Sequence, residues 1–253
     1  MHAEIFGARE NPTVVLLHGG GLGWWAYRDA AMLLAQDYQV VLPSIHGYGD
    51  AADESFESIQ ASAMAFIRDI DAEYQGKVFV LGGLSLGAQI AVEMLSQRPD
   101  VAEYAVLESA LVFPLPAARW LGPIAGMSYR LIQRRWFARM QAKALALPDA
   151  LFAEYYRDSL RLSKQTLCNT VASNGSYRLS PNLSQVKAKA LVIVGERELP
   201  VMRHSAEALC QALPQARLWV ADGMAHGEAS LKYPETYVDE IRALIAGNET
   251  PQP

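Results

Sequence analysis

The stretch Val78-Phe79-Val80-Leu81-Gly82-Gly83-Leu84-Ser85-Leu86-Gly87 decides the fold. An apolar run ends in Gly-x-Ser-x-Gly, and Ala88, Ile90, Ala91, Met94 and Leu95 follow at helical spacing. A strand turning this sharply into a helix holds its middle residue in a strained, exposed position. A Cβ at Gly83 or Gly87 would crowd that turn. Ser85 is thereby presented as a nucleophile. The bare pattern is weak, and its place between strand and helix makes it stronger. The competing reading is an ordinary strand–helix turn in which Ser85 is the helix N-cap. A nucleophile makes further demands: a base, an orienting acid and an oxyanion hole, all at strand ends.

Outward from Ser85, apolar β-rich runs alternate with helical patterns. Strands are expected at residues 3–6, 13–17, 38–42, 78–81, 104–107, 190–194 and 216–220, and helices at 24–35, 56–74, 86–96, 202–212 and 233–245. Runs such as Val14-Val15-Leu16-Leu17 and Leu191-Val192-Ile193-Val194 are continuously apolar, as strands buried on both faces are. The alternation predicts a doubly wound α/β fold with a mostly parallel sheet. From about Val112 to Leu179 it breaks into a helical, Pro-punctuated segment too long for a loop. The expected organisation is a core of residues 1–111 and 180–253 with a helical cap, 112–179, inserted between two core strands. The polar, Pro-rich tail from Gly247 to Pro253 is expected to fray.

The strand ends carry the chemistry. After the run 13–17 comes His18-Gly19-Gly20-Gly21, whose backbone N–H groups can face a site unobstructed. Gly20, the Leu86 N–H next to the nucleophile, and Gly21 are the candidate oxyanion donors. A dinucleotide loop fails on spacing, because neither glycine cluster reads G-x-G-x-x-G. The candidate base is His226, in the Gly-flanked loop after the run 216–220. His46, after the run 38–42, is the rival and also a candidate pocket residue. For the acid, Glu198 lies three residues past Gly195, beyond the run 190–194. Glu108, at the end of 104–107, is the alternative.

Composition sets outer limits. The 253 residues are 51% hydrophobic, enough for one large domain with an insertion, and mean hydropathy is +0.04. No apolar run approaches the ~18–20 residues of a spanning helix. The N-terminus lacks a basic segment followed by an apolar one, which argues against a secretory signal. Cys168 and Cys210 lie far apart, without metal-ligand spacing, and read as reduced thiols of a cytoplasmic protein. A net charge of −5 argues against a nucleic-acid partner. No His-Glu-x-x-His or clustered Cys/His pattern suggests a metal.

Together the glycine loop 18–21, the elbow 83–87, the acid loop 195–198 and the histidine loop 223–226 resemble those of the α/β-hydrolase superfamily over nearly the whole length. The resemblance implies a Ser-His-acid triad of Ser85, His226 and Glu198, acting without cofactor on an ester-type bond of a small-molecule acyl substrate. Three features depart from the usual pattern: Glu198 where Asp is common, Leu84 where His often precedes the nucleophile, and Pro43-Ser44 where an Asp often ends the third core strand. A serine at the elbow points away from the dehalogenases and epoxide hydrolases of the superfamily. It leaves esterases, thioesterases, C–C hydrolases and amidases open, beside a non-catalytic binding protein on the same scaffold.

Between Arg119 and Lys143 lie six basic residues and no acidic one, with Ile132, Trp136 and Met140 at i+4 spacing. One reading makes this cap an attractor of anionic acyl substrates or interfaces. The other makes it a lid with its apolar stripe on the pocket and its arginines in solvent. Trp24 and Trp136 are candidate pocket residues, and Trp25 reads as core.

Overall fold

The computed structural model describes residues 1–247. Seven strands form one sheet: β1 Ala3–Phe6, β2 Thr13–Leu17, β3 Gln39–Pro43, β4 Val78–Leu84, β5 Ala102–Glu108, β6 Lys189–Gly195 and β7 Ala216–Ala221. Their spatial order is β1-β3-β2-β4-β5-β6-β7. Only β1 runs antiparallel, against β3; the other pairs are parallel. The helices, in chain order, are α1 Arg28–Leu34, α2 Ile59–Glu73, α3 Leu86–Gln97, α4 Ala118–Ile132, α5 Arg135–Ala144, α6 Phe152–Arg161, α7 Lys164–Ser176, α8 Pro200–Ala212, α9 Glu228–Lys232 and α10 Pro234–Ala246.

Strand residues alternate between two cores because side chains of a strand point to opposite faces. Val15, Leu17 and Val192 pack with Phe66 of α2, Ile90 of α3 and Leu209 of α8. Val14, Leu16 and Ile193 pack with Leu34 of α1 and Tyr237 and Ile241 of α10. Both faces are thus covered, which is why the central strands read as unbroken apolar runs.

Helices α4 to α7 lie between β5 and β6. Buried Gly122 and Gly126 let α4 approach α7 closely at Cys168. Helix α7 is tied to the loop before α2: Thr166 Oγ1 accepts from Phe56 N–H at 3.2 Å, and Asn169 Nδ2 donates to Phe56 O at 2.8 Å. Among the described residues no helix is long and apolar enough to cross a membrane.

Several boundaries differ from expectation. β4 runs three residues further, to Leu84: Gly82 lies close against Leu16 and Val106 of the neighbouring strands, and at Gly83 the elbow folds back so closely that a Cβ would meet Gly87 and Ala88. The expected helix 24–35 divides into a 3-10 turn, Trp24–Tyr27, and α1. Helix α2 starts at Ile59 because the Ser58 hydroxyl caps it, accepting from Ala61 N–H. Helix α9 was not anticipated. The expected fraying of 248–253 lies outside the described residues.

Candidate active site

The chain steps from β2 outward to β3, then returns to place β4 on the other side of β2. In such a sheet, ligands gather at the carboxyl ends of the strands where the order reverses. The register Leu16↔Gly82 and Leu17↔Gly83 sets residues 18–21 beside Ser85. Ser85 has φ 53° and ψ −111°, a strained conformation for a residue with a Cβ. Its N–H donates to Glu108 O at 2.8 Å and its carbonyl accepts from Gln89 N–H at 2.9 Å. A Cβ at Gly87 would overlap the Leu17 carbonyl, and one at Gly83 would lie 2.6 Å from Ala88 N. Ser85 occupies the N-cap position of α3 without a side-chain capping bond, and it lines a cavity instead. The capping reading therefore does not describe its side chain.

His226 Nδ1 lies 2.6 Å from Glu198 Oε2. Glu198 Oε1 accepts from Ser109 Oγ at 2.7 Å and Gly195 N–H at 2.8 Å. Burial pushes the Glu198 carboxyl up, but His226, the Gly195 N–H and the Ser109 hydroxyl together hold it below its ordinary value. Backbone contact joins the two loops: Arg197 N–H donates to Met224 O at 2.9 Å, and a Cβ at Gly195 would lie 2.8 Å from Ala225 O. Glu228 pins the histidine loop, accepting from Ala225 N–H at 2.6 Å and pairing with Arg197 and Lys232. A Cβ at Gly227 would lie 3.0 Å from Leu84, so the residue after His226 packs against the residue before Ser85. Glu196 accepts from Gly223 N–H at 2.9 Å.

Glu108 stands elsewhere. Its Oε1 accepts from Ser230 N–H at 3.3 Å, and its buried Oε2 has no hydrogen-bond partner. Desolvation pushes this carboxyl up to about 7. The histidine is hydrogen-bonded to Glu198, not to Glu108.

The glycine loop is set by His18, which is fully buried. Ile45 N–H donates to Nε2 at 3.1 Å, which leaves the ring proton on Nδ1, donating to Gly19 O at 2.9 Å. Gly19 O also accepts from Leu22 N–H. A trans peptide points N–H opposite to C=O, so anchoring Gly19 O aims the Gly20 N–H the other way. A Cβ at Gly20 would lie 3.5 Å from the Leu86 side chain, which places Gly20 beside the start of α3. There the first N–H groups have no partner within the helix. The Gly21 N–H is directed at the Tyr48 hydroxyl, which donates to Thr170 Oγ1 at 2.7 Å.

Gly20, Gly21, Ser85 and Leu86 open into a cavity of about 400 Å³. Leu115, Leu121, Ile132, Leu162 and Leu167 form its apolar wall, with Tyr48, Gln141 and Asn174 as polar points. No Lys or Arg lines it. Its one carboxylate, Asp158, accepts from Trp25 Nε1 at 2.7 Å and Arg157 Nε at 2.8 Å.

Three expected pocket residues lie outside this cavity. Trp24 turns to the rim, where Nε1 donates to Asp50 and the ring carries the Arg28 guanidinium. His46 pairs with Glu54 at 3.5 Å and packs on Phe66. Trp136 is 64% exposed on the outside of α5. Tyr48, Thr170, Ser109 and Glu228 were not singled out beforehand. Tyr48 lies two residues past His46 in the loop after β3, whereas nothing local marks the other three.

A sequence model described as the alpha/beta hydrolase family matches residues 14–240. Polyketide synthase ThaQ of Burkholderia thailandensis is 26% identical over 263 residues; the match covers 97% of this chain and 13% of that protein. A pimeloyl-[acyl-carrier protein] methyl ester esterase of Nitrosomonas europaea is 22% identical over 257 residues, covering 96% of this chain and 99% of that one. Among solved structures, the enol-lactonase from Burkholderia xenovorans superposes with a TM-score of 0.80 at 17% identity, covering 97% of this chain and 96% of its own.

Proposed function

Because the chain belongs to the alpha/beta hydrolase family, we propose that it is a cofactor-free serine hydrolase that cleaves carboxylic esters with a small to medium, uncharged acyl group. Ser85 Oγ attacks the carbonyl carbon while His226 Nε2 takes its proton. Glu198 fixes the Nδ1–H tautomer and stabilises the imidazolium. The oxyanion is held by the N–H groups of Gly20 and Leu86, each well-aimed donor contributing about 3–4 kcal/mol in the transition state. Gly21 acts indirectly, through Tyr48. Collapse expels the alcohol with the proton from His226, and water activated by the same histidine releases the acid.

The observations that support this reading are the strained Ser85 lining the cavity and the Glu198–His226 pair, in a loop whose Gly227 packs against Leu84, the residue before Ser85. The cavity wall supports the substrate class. A carboxylate-bearing acyl group would be buried there without a cation, at a cost of several kcal/mol. The basic residues of 119–143 lie outside the wall, so the attraction of an anionic acyl group into the site is set aside. Cys168 and Cys210 are free, in keeping with a cytoplasmic protein.

A fluorophosphonate probe tests the chemistry. Folded wild-type protein labels and Ser85→Ala does not; an unlabelled wild type would sink the enzyme reading in favour of a binding protein. A series of p-nitrophenyl esters and acyl thioesters then ranks the leaving groups, with butyrate to octanoate preferred over succinate.

A further inference from the structure

The helices between β5 and β6 differ in charge from the rest of the chain. Residues 112–179 hold ten basic and three acidic side chains, a formal +7; the whole chain is −5, which leaves −12 elsewhere. Only Arg157 and Arg161 of the ten pair with a carboxylate; the other eight, among them Arg119, Arg130, Arg134, Arg135, Arg139 and Lys143, make no ion pair among the described residues. Arginines of the core, such as Arg28, Arg98, Arg197, Arg217 and Arg242, each reach a carboxylate.

The same helices expose apolar surface in a pattern. Trp120, Ile124, Met127 and Leu131 recur along one side of α4 and are 56, 55, 78 and 43% exposed. The other side of α4 buries Gly122 and Gly126 against α7 and sets Leu121 and Ile132 in the cavity wall. Five residues past Leu131, Trp136 and Met140 repeat the pattern on α5. Arg119 and Arg130 border the α4 stripe on one flank, and Arg135, Arg139 and Lys143 run along one flank of the α5 pair.

We propose that this face docks the protein reversibly on an anionic lipid bilayer, with α4 and α5 lying in the plane of the interface. Aromatic and aliphatic side chains on one side of a helix, with arginines at its borders, match the two layers such a surface presents: acyl chains below and anionic headgroups above. The unpaired cations find their counter-charges in the headgroups. The acidic remainder is repelled, so the molecule approaches with these helices first. An acidic globular partner would answer the arginines, but it would also have to cover the row of exposed Trp120, Ile124, Met127 and Leu131 with a complementary apolar surface. A bilayer covers such a row without one. Since the inner side of α4 lines the Ser85 cavity, docking brings that cavity within about one helix diameter, ~10 Å, of the lipid.

Flotation of the full chain with extruded vesicles tests this without turnover, so the result is independent of the role of Ser85. Vesicles of equal parts phosphatidylcholine and phosphatidylglycerol carry the protein upward, and vesicles of phosphatidylcholine alone do not. Met127→Asp and the double variant Arg134→Glu/Arg135→Glu each reduce partitioning about tenfold, and molar salt does the same to wild type. All of these positions are exposed, and circular dichroism verifies that the variants fold. No flotation with the mixed vesicles, or equal flotation with both kinds, overturns the proposal. So does loss of binding on charge reversal with none on Met127→Asp, which removes the stripe from the interface. Binding of a purified acidic acyl-carrier protein in place of vesicles reassigns the face to a protein.

Discussion

One oxygen of Glu198 lies 2.6 Å from His226 Nδ1, while the other accepts from Ser109 Oγ and Gly195 N–H. The carboxylate is thus fixed at one end by a strand-end amide and a neighbouring hydroxyl, and only its second oxygen is left for the histidine. An acid in the loop after β6 is thereby aimed across to the loop after β7 without mobility of its own.

Glu198→Gln tests that aim. The Gly195 N–H needs an acceptor, so the amide oxygen stays there and the NH2 turns to His226 Nδ1. Nδ1 must then accept, the proton moves to Nε2, and the base is lost. The expected result is a fall in kcat of about 10⁴ with KM little changed, measured on p-nitrophenyl butyrate. A fall of less than about tenfold removes Glu198 from the acid role.

Ser109→Ala removes one of the donors that hold the Glu198 carboxyl down. The Gly195 N–H remains, so the loss in kcat/KM is about tenfold, the worth of one charge-assisted hydrogen bond. The carboxyl pKa rises, and the acid limb of the pH–rate profile moves to higher pH. An unmoved limb with the same tenfold loss would show that Ser109 acts on packing alone.

His18→Phe tests the proposed oxyanion loop separately from the proposed triad. Without the Nδ1–H anchor the Gly19 carbonyl keeps only its bond from Leu22 N–H and is held less firmly, and kcat falls about 10²-fold with labelling of Ser85 retained. Stability changes with pH as well. Burial lowers the His18 pKa to about 4, from an ordinary 6.5. Between these values the unfolded chain binds the extra proton. The contribution is therefore complete above 6.5 and is lost as pH falls toward 4, on the order of 3 kcal/mol. In urea titrations, wild type is more stable than His18→Phe at pH 7.5, and the gap narrows at pH 4.5. A constant gap contradicts a neutral buried imidazole.

The parts of this site that were legible in the sequence lie where backbone geometry restricts residue type. Gly83 and Gly87 leave no room for a Cβ, and the apolar runs of β2, β4 and β6 mark strands covered on both faces, so the elbow and the strand-end loops could be read directly. What was not legible depends on contacts distant in sequence. Thr170 reaches Tyr48, Ser109 reaches Glu198 and Glu228 reaches Ala225 only after the chain folds. The misplaced pocket residues share that origin: Trp24, His46 and Trp136 follow the right elements, but Asp50, Glu54 and solvent fix where they point. The stripe at Ile132, Trp136 and Met140 divides in the same way. Ile132 is buried on the cavity while the other two face outward, because a new helix begins at Arg135 and breaks the phase.

Glu108 supplies a second linkage of opposite sign. Its carboxyl is pushed up to about 7 from an ordinary 4.5 by burial. Here the folded chain binds the extra proton, so the contribution is complete below 4.5 and is lost as pH rises through 7. Glu108→Gln stays neutral throughout. It should match wild type near pH 4 and exceed it by on the order of 3 kcal/mol at pH 8, with activity retained because the bond to Ser85 N–H comes from the backbone carbonyl. Between pH 4.5 and 6.5 the His18 and Glu108 slopes oppose each other, so the contributions of these two groups nearly cancel there. Each variant exposes the other group: Glu108→Gln gains stability with rising pH across that window, and His18→Phe loses it. Parallel slopes in the two variants would refute the assignment of these two buried groups as the titrating pair.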